Sequence, residues 1–164
     1  MYPDGEFKSD YETDDAIYFF TSGFYALNNW SAHAITIWDK KFTTLEHAYH
    51  YKKYVDNHPA IAAKILAAPS PWAAMQIDRR NRAKRRPDWP GIKVSVMEEL
   101  ARAKLEQNID VRDCLLKTGS KRIVENSPWD DFWGCGADGK GQNIMGKLLT
   151  KLREEYKSKP SNRK

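Results

Sequence analysis

The chain has 164 residues, 41% of them hydrophobic and 30% charged, with a net charge of +5. That length and balance predict one soluble globular domain, and no apolar run approaches the ~20 residues that span a bilayer. Two cysteines, Cys114 and Cys135, are too few for a disulfide framework; with a polar, acidic N-terminus that has no signal-peptide stretch, they predict a cytoplasmic protein.

In chain order, the first fifteen residues and the terminal "KSKPSNRK" (157–164) read as disordered tails around a domain at 16–156. Ala16 to Phe20 predicts a short strand. Ile35 and Ile37 predict a second, which turns at Asp39-Lys40 toward Phe42. The rest is mainly helical. A first helix is expected from Thr43 to about Asn57, and a second starts at Pro59 and ends at Pro69. A third has Ser70 as N-cap and Pro71 at N1. The longest runs from Pro90 to Asn108, with Val96, Met97, Leu100, Ala101 and Leu105 on its core face. Asp110 is expected to cap the next helix, whose Val111, Leu115 and Leu116 face inward and which Gly119 ends. "KRIVEN" predicts a strand, "SPWDDFWGCGADGKGQN" a loop and "NIMGKLLTKLREEY" a closing amphipathic helix.

The densest chemistry lies in "TTLEHAYHYKKY", Thr43 to Tyr54. On a helix, Glu46, Tyr49, His50 and Lys53 share one stripe at i, i+3, i+4 and i+7, while His47 and Lys52 point elsewhere. A carboxylate and an amine two turns apart, about 10 Å by backbone, can address one sugar-sized ligand. The carboxylate can move protons. The amine can form a Schiff base if burial lowers its pKa, and tyrosine rings would supply the dry wall. Structural explanations compete: Thr43 and Glu46 fit a capping box, Tyr49 fits core, and Lys53 can snorkel to water. The four histidines lack the convergent spacing of a zinc site, so no metal is expected. "GADGKGQN" lacks the ending of a phosphate loop.

Two other segments matter. "RRNRAKRRPDW" (Arg79 to Trp89) carries six basic residues, which suits an anionic partner such as nucleic acid or a nucleotide phosphate, or a plain solvated loop. "WDDFWG" (Trp129 to Gly134) sets aspartates among flat rings that can stack on a base or pin the loop to the core.

"TTLEHAYHYKKY", "PDWPGIKVSVMEELARAKLEQN", "LLKTG" and "IVENSPWDDFWGCGADGKGQNIMGKLL" together resemble the NADAR, or YbiA-like, family, in order from about Ile17 to Leu152. The resemblance implies an α+β fold, predominantly helical, in a compact domain with a small β component. It implies N-glycosidic bond cleavage without metal or other cofactor. The substrate class it implies is nucleotide-like: ADP-ribosyl-guanine in nucleic acid, or ribosylamino-pyrimidine intermediates of riboflavin biosynthesis. A non-catalytic module that binds ADP-ribose or nucleic acid is the alternative; a membrane partner is not implied. The family's catalytic lysine, glutamate and aspartate fall on Lys53, Glu46 and Asp130. Substrate-binding positions fall on Trp89, Arg86, Trp133, Gly134, Asn143 and Asn29, with Tyr49 and His50 on the reactive stripe. Two departures stand out: Asp78 replaces a small residue before the basic run, and the segment between Phe20 and Leu27 is shortened.

Overall fold

A computed structural model describes residues 9–20 and 25–158. Its strands are β1 (Tyr11–Glu12), β2 (Ala16–Phe19), β3 (Ile35–Ile37), β4 (Lys40–Phe42) and β5 (Arg122–Glu125). Its helices are α1 (Leu45–Lys52), α2 (Pro59–Leu66), α3 (Pro71–Arg80), α4 (Trp89–Gln107), α5 (Ile109–Lys117) and α6 (Ile144–Ser158). Short 3-10 turns occupy Tyr25–Leu27 and Arg82–Lys84. The fold is α+β and predominantly helical. The chain divides into two compact units, one built from residues 29–109 and the other from the segments on either side.

In the unit formed by the flanking segments, β2 is central: antiparallel to β1 and parallel to β5, with Ala16 opposite Arg122 and Phe19 opposite Glu125. Ala16, Ile17, Phe19, Ile123 and Val124 are buried, and α6 packs on β5 through this unit's apolar interior. The expected N-terminal tail is overturned from residue 9 onward. Tyr11 stacks on Tyr18 with ring centroids 4.2 Å apart, and Asp10 accepts from the Phe20 N–H at 2.9 Å. These contacts recruit the acidic segment to the sheet edge; residues 1–8 lie outside the described residues. At the other end, Lys157 and Ser158 complete α6, and the rest of the expected basic tail (159–164) lies outside the described residues. So do residues 21–24 of the shortened segment. Asp110 sits in the first turn of α5 rather than capping it. Gly119 ends that helix with φ +62°, a conformation glycine reaches without a Cβ penalty. Cys114 and Cys135 form no disulfide with each other.

The 29–109 unit begins with the β3–β4 hairpin. Its two-residue turn is Trp38-Asp39, one position earlier than expected, and both residues have positive φ as a type I′ hairpin demands. α1 contacts α2, α3 and α4, and this enclosure explains why a helix with so polar a sequence is mostly buried. Ser70 caps α3 by accepting from the Ala73 N–H at 3.1 Å, with Pro71 at N1. The expected inward face of α4 is buried as read.

α1 is shorter than its periodicity suggests, ending at Lys52 rather than near Asn57. Lys53 caps it in a helical conformation, but its carbonyl accepts from the Arg86 N–H at 2.9 Å. The Asn57 N–H turns to the Tyr54 carbonyl instead, so the ladder closes into tight turns.

Candidate active site

The N-terminus of α1 decides what Glu46 can do. Thr44, not Thr43, is the N-cap, and its hydroxyl accepts from the His47 N–H. The expected Thr43–Glu46 capping box does not form, because His47 and not Glu46 stands at N3. Glu46 is not spent on capping, and its N–H instead donates to the Asn29 carbonyl at 3.1 Å. His47 is a core histidine, with Nδ1 2.8 Å from the Thr44 hydroxyl and Nε2 3.1 Å from the Ala68 carbonyl.

The stripe read from the sequence forms a continuous chain of contacts. Glu46 Oε1 lies 2.8 Å from His50 Nε2, and His50 Nδ1 lies 2.9 Å from Lys53 Nζ. Lys53 is 4% exposed and does not snorkel. Its Nζ lies 4.5 Å from the Tyr49 ring centroid and 5.4 Å from that of Trp89, whose rings meet edge to face at 5.0 Å. Trp89 is held there as the first residue of α4.

The sequence reading left Asp78 without a role, as a mere departure; it is the hub of this network. It lies in α3, 1% exposed, and both oxygens are occupied. Oδ2 accepts from Lys53 Nζ at 2.9 Å and lies 3.0 Å from His50 Nδ1. Oδ1 accepts from the Tyr54 hydroxyl at 2.7 Å and from Arg85 Nε at 2.7 Å, and Arg85 Nη2 completes a bidentate pair on Oδ2. Only Asp78's place before the basic run marked it, and nothing in that run distinguished Arg85 from Arg86. Arg86, expected on a phosphate, is engaged by Asp56 and Asp88. Its backbone N–H ties it to Lys53.

The electrostatics follow from this geometry. Burial pulls the Lys53 ammonium down from 10.5 to about 8; Asp78 opposes the fall and Arg85 reinforces it. Burial works against ionising Asp78, yet hydrogen bonds from His50 and Arg85 and the charge on Lys53 hold its carboxyl well below the usual range. Burial also works against ionising Glu46, and His50 and Lys53 outweigh it, so Glu46 titrates below its ordinary value. At neutral pH the resting site therefore holds two carboxylates, an arginine and a lysine that gives up its proton easily.

Asn29 lies beside this chain. Its Oδ1 is buried with no hydrogen-bond partner among the described residues, while its Nδ2 lies 3.7 Å from Met97 Sδ. An orphaned buried amide oxygen is uncommon and marks a position where a ligand donor would be welcome.

Asp130, Trp133, Gly134 and Asn143 belong to the other unit and knit its long loop. Asp130 Oδ1 accepts from the N–H groups of Phe132 at 2.9 Å and Trp133 at 2.7 Å. A Cβ on Gly134 would stand 2.8 Å from the Glu125 carbonyl oxygen. Asn143 bridges β5: its Nδ2 donates to the Ile123 carbonyl and its Oδ1 accepts from the Glu125 N–H, both at 2.9 Å. The Trp133 ring meets Phe132 edge to face at 5.1 Å. Among the described residues, no group of three or more His, Cys, Asp or Glu is arranged to hold a metal ion, and no helix is long and apolar enough to cross a membrane.

Known proteins resemble this chain in sequence and, in one case, in solved structure. A Nostoc punctiforme protein named as an N-glycosidase is 41% identical over 132 residues, covering 80% of this chain and 85% of its own. N-glycosidase YbiA of Escherichia coli is 34% identical over 128 residues, covering 78% and 79%. The NMR structure of that YbiA superimposes with a TM-score of 0.78 at 32% identity, over 91% of this chain and 89% of the other. A maize chloroplastic riboflavin biosynthesis protein is 37% identical, and the match spans 26% of its length. The profile of the NADAR domain matches residues 11–157, and the chain belongs to the NADAR family.

Proposed function

We propose that the Glu46–His50–Lys53 chain, braced by Asp78, is the reactive centre of a hydrolase that cleaves the C1′–N bond of a ribosylated base. The N-glycosidase names of its relatives support the reaction class. The observation that carries the site assignment is the buried Lys53 amine, joined through one imidazole to a partly buried carboxylate and titrating at about 8. A module that only binds ADP-ribose has no use for such an amine.

The chemistry runs as follows. Lys53 passes a proton to His50 Nδ1, while His50 Nε2 passes its own to Glu46. One relayed proton converts a resting ammonium and carboxylate into a nucleophilic amine and a carboxylic acid. The new Nδ1–H faces Asp78 Oδ2 at 3.0 Å, which stabilises the switched tautomer. Lys53 Nζ attacks C1′ as the C1′–N bond breaks, and the departing base takes the Glu46 proton. The ribose ring opens as its oxygen is protonated, leaving an imine between Nζ and C1′. Water adds to the imine carbon, the amine is expelled, and the free sugar leaves. The net change is addition of one water across the C1′–N bond. Tyr49 and Trp89 keep bulk water from the amine. The Asn29 amide oxygen accepts a ribose hydroxyl.

Two substrates fit this reaction. The riboflavin biosynthesis names of two longer relatives support a ribosylamino-pyrimidine. Basic residues not engaged in the Asp78 network support an ADP-ribosyl base. The test is mass-resolved product analysis with both substrates, together with borohydride trapping. The expected result is a protein–sugar adduct at Lys53 and a released base. If a Lys53→Ala protein keeps full turnover, the assignment fails.

A further inference from the structure

The close of α4 and its C-cap read "KLEQN", Lys104 to Asn108, and take no part in the chemistry above. Three of these side chains reach one stretch, residues 31–36, which leads from Asn29 into β3. Lys104 Nζ donates to Ser31 Oγ at 2.6 Å. Asn108 Nδ2 donates to the Ala34 carbonyl at 3.1 Å. Gln107 holds the Thr36 backbone at both ends: its Oε1 accepts from the N–H at 2.7 Å and its Nε2 donates to the carbonyl at 2.9 Å. Gln107 and Asn108 satisfy backbone groups, an ordinary tethering task. Lys104 is harder to explain by packing. It is 3% exposed and meets a hydroxyl on a fully buried residue. An apolar side chain of similar length would fill that space at lower cost.

Ser31 Oγ also lies 2.8 Å from His33 Nδ1. Because Oγ accepts from Lys104, its own hydrogen is left for His33, and the hydroxyl is held in one orientation. Two residues before Ser31 stands Asn29, gripped from both sides. Its carbonyl accepts from the Glu46 N–H at 3.1 Å, and its Nδ2 lies 3.7 Å from Met97 Sδ. That Glu46 N–H lies in the first turn of α1, where helices leave donors without an internal acceptor. Met97 and Lys104 are seven residues apart on α4, two turns along one face. α4 thus holds the strap at Asn29 and at Ser31, and the strap holds the start of the reactive helix. The clamp presents the buried Asn29 Oδ1, which has no hydrogen-bond partner among the described residues.

We infer that Lys104 is a positioning residue: through Ser31 it fixes Asn29, and the site thereby selects a sugar that carries the ribose hydroxyl Asn29 accepts. The inference rests on the proposed glycosidase for the sugar, since Asn29 Oδ1 is the group assigned there to a ribose hydroxyl. A fixed buried acceptor penalises a sugar that lacks the hydroxyl, because the acceptor is then left unpaired. An acceptor free to turn toward another donor exacts no such penalty.

The experiment compares the full chain with its Lys104→Met, Ser31→Ala and double variants by two readouts. The first needs no substrate: amide hydrogen exchange by NMR. Protection of the Glu46 N–H should fall about 3- to 10-fold relative to that of Leu100 in α4 in each single variant. It should fall no further in the double variant, because both changes cut the same link. The second readout is kcat/KM on a ribosylamino-pyrimidine and on ADP-ribosyl-guanine, each with 2′-deoxy and 3′-deoxy counterparts of the attacked ribose. The wild type should prefer the ribosyl form over one of the two by about 5- to 150-fold, and every variant should bring that ratio close to one. A merely structural loss lowers both rates together and leaves the ratio intact. Unchanged Glu46 protection, a ratio kept at the wild-type value, or effects that add in the double variant overturn the inference. Failure of the glycosidase reading would show separately, as no base released from either ribosyl substrate by the wild type, and the Glu46 exchange then still decides whether Lys104 fixes Asn29.

Discussion

Turnover should follow the protonation of Lys53, and the size of the effect can be worked out in advance. An amine titrating at about 8 is neutral in about a tenth of molecules at pH 7. At the ordinary 10.5 the fraction is about one in 3,000, so burial beside Arg85 supplies about 300-fold more nucleophile. Because the proton that Glu46 gives to the departing base is the one relayed from Lys53, kcat/KM should stay level from neutral pH up to about pH 8 and fall about tenfold per pH unit above it. The same group leaves a mark on stability. Between about 8 and 10.5 the unfolded chain holds a proton that the folded site has released, so stability rises with pH across that window. A Lys53→Met protein lacks this rise, and the difference between the two urea-unfolding curves should grow by about 3 kcal/mol across the window. Groups that titrate in both proteins cancel. The assays are a pH series of base release and paired urea titrations. A kcat/KM that does not fall above pH 8, or parallel stability curves, would refute the account of a depressed, reactive amine.

Three further outcomes are expected. Asp78→Ala leaves Lys53, Arg85 and the Tyr54 hydroxyl without their shared acceptor, and should destabilise the protein by about 3–5 kcal/mol in urea titration. Gly146→Ala would place a methyl 2.1 Å from the Ile123 carbonyl oxygen, so soluble folded protein should be lost, as read by circular dichroism. Asp130→Asn keeps an oxygen for the Phe132 and Trp133 N–H groups but removes the charge. If Asp130 stabilises a developing cation on the sugar, kcat should fall about 100-fold or more at an unchanged melting temperature; unchanged kcat would leave it a loop-shaping residue.

The local periodicities were readable because each depends on a few neighbouring residues. Ser70 and Pro71 announce α3, and the spacing of Glu46, Tyr49, His50 and Lys53 announces the reactive stripe. What escaped was set by distance or by a single-residue offset. Two adjacent threonines compete to cap α1, and Thr44 takes the place, with its hydroxyl on the His47 N–H. The early end of α1 follows from the Arg86 N–H reaching the Lys53 carbonyl, a partner more than thirty residues away. Asp78 is one acidic residue at the edge of a basic run, and its central place appears only when α3 lies against α1. The same 3-10 turn that ends at Lys84 sends Arg85 inward and Arg86 toward solvent-side carboxylates, a choice that six similar cations in a row cannot encode locally.

The parallel pairing of β2 with β5 has a consequence for how the chain is made. Ala16 leaves the ribosome early, but its partner Arg122 is synthesised more than a hundred residues later. Closing so long an interval carries a large entropic penalty, and a parallel pair gains little until it is complete. The intervening stretch, rich in short-range helical contacts, can organise its acid, imidazole and amine while the first strand still waits. Nascent protein should thus acquire its chemistry before its sheet, with strand closure as the slow final event.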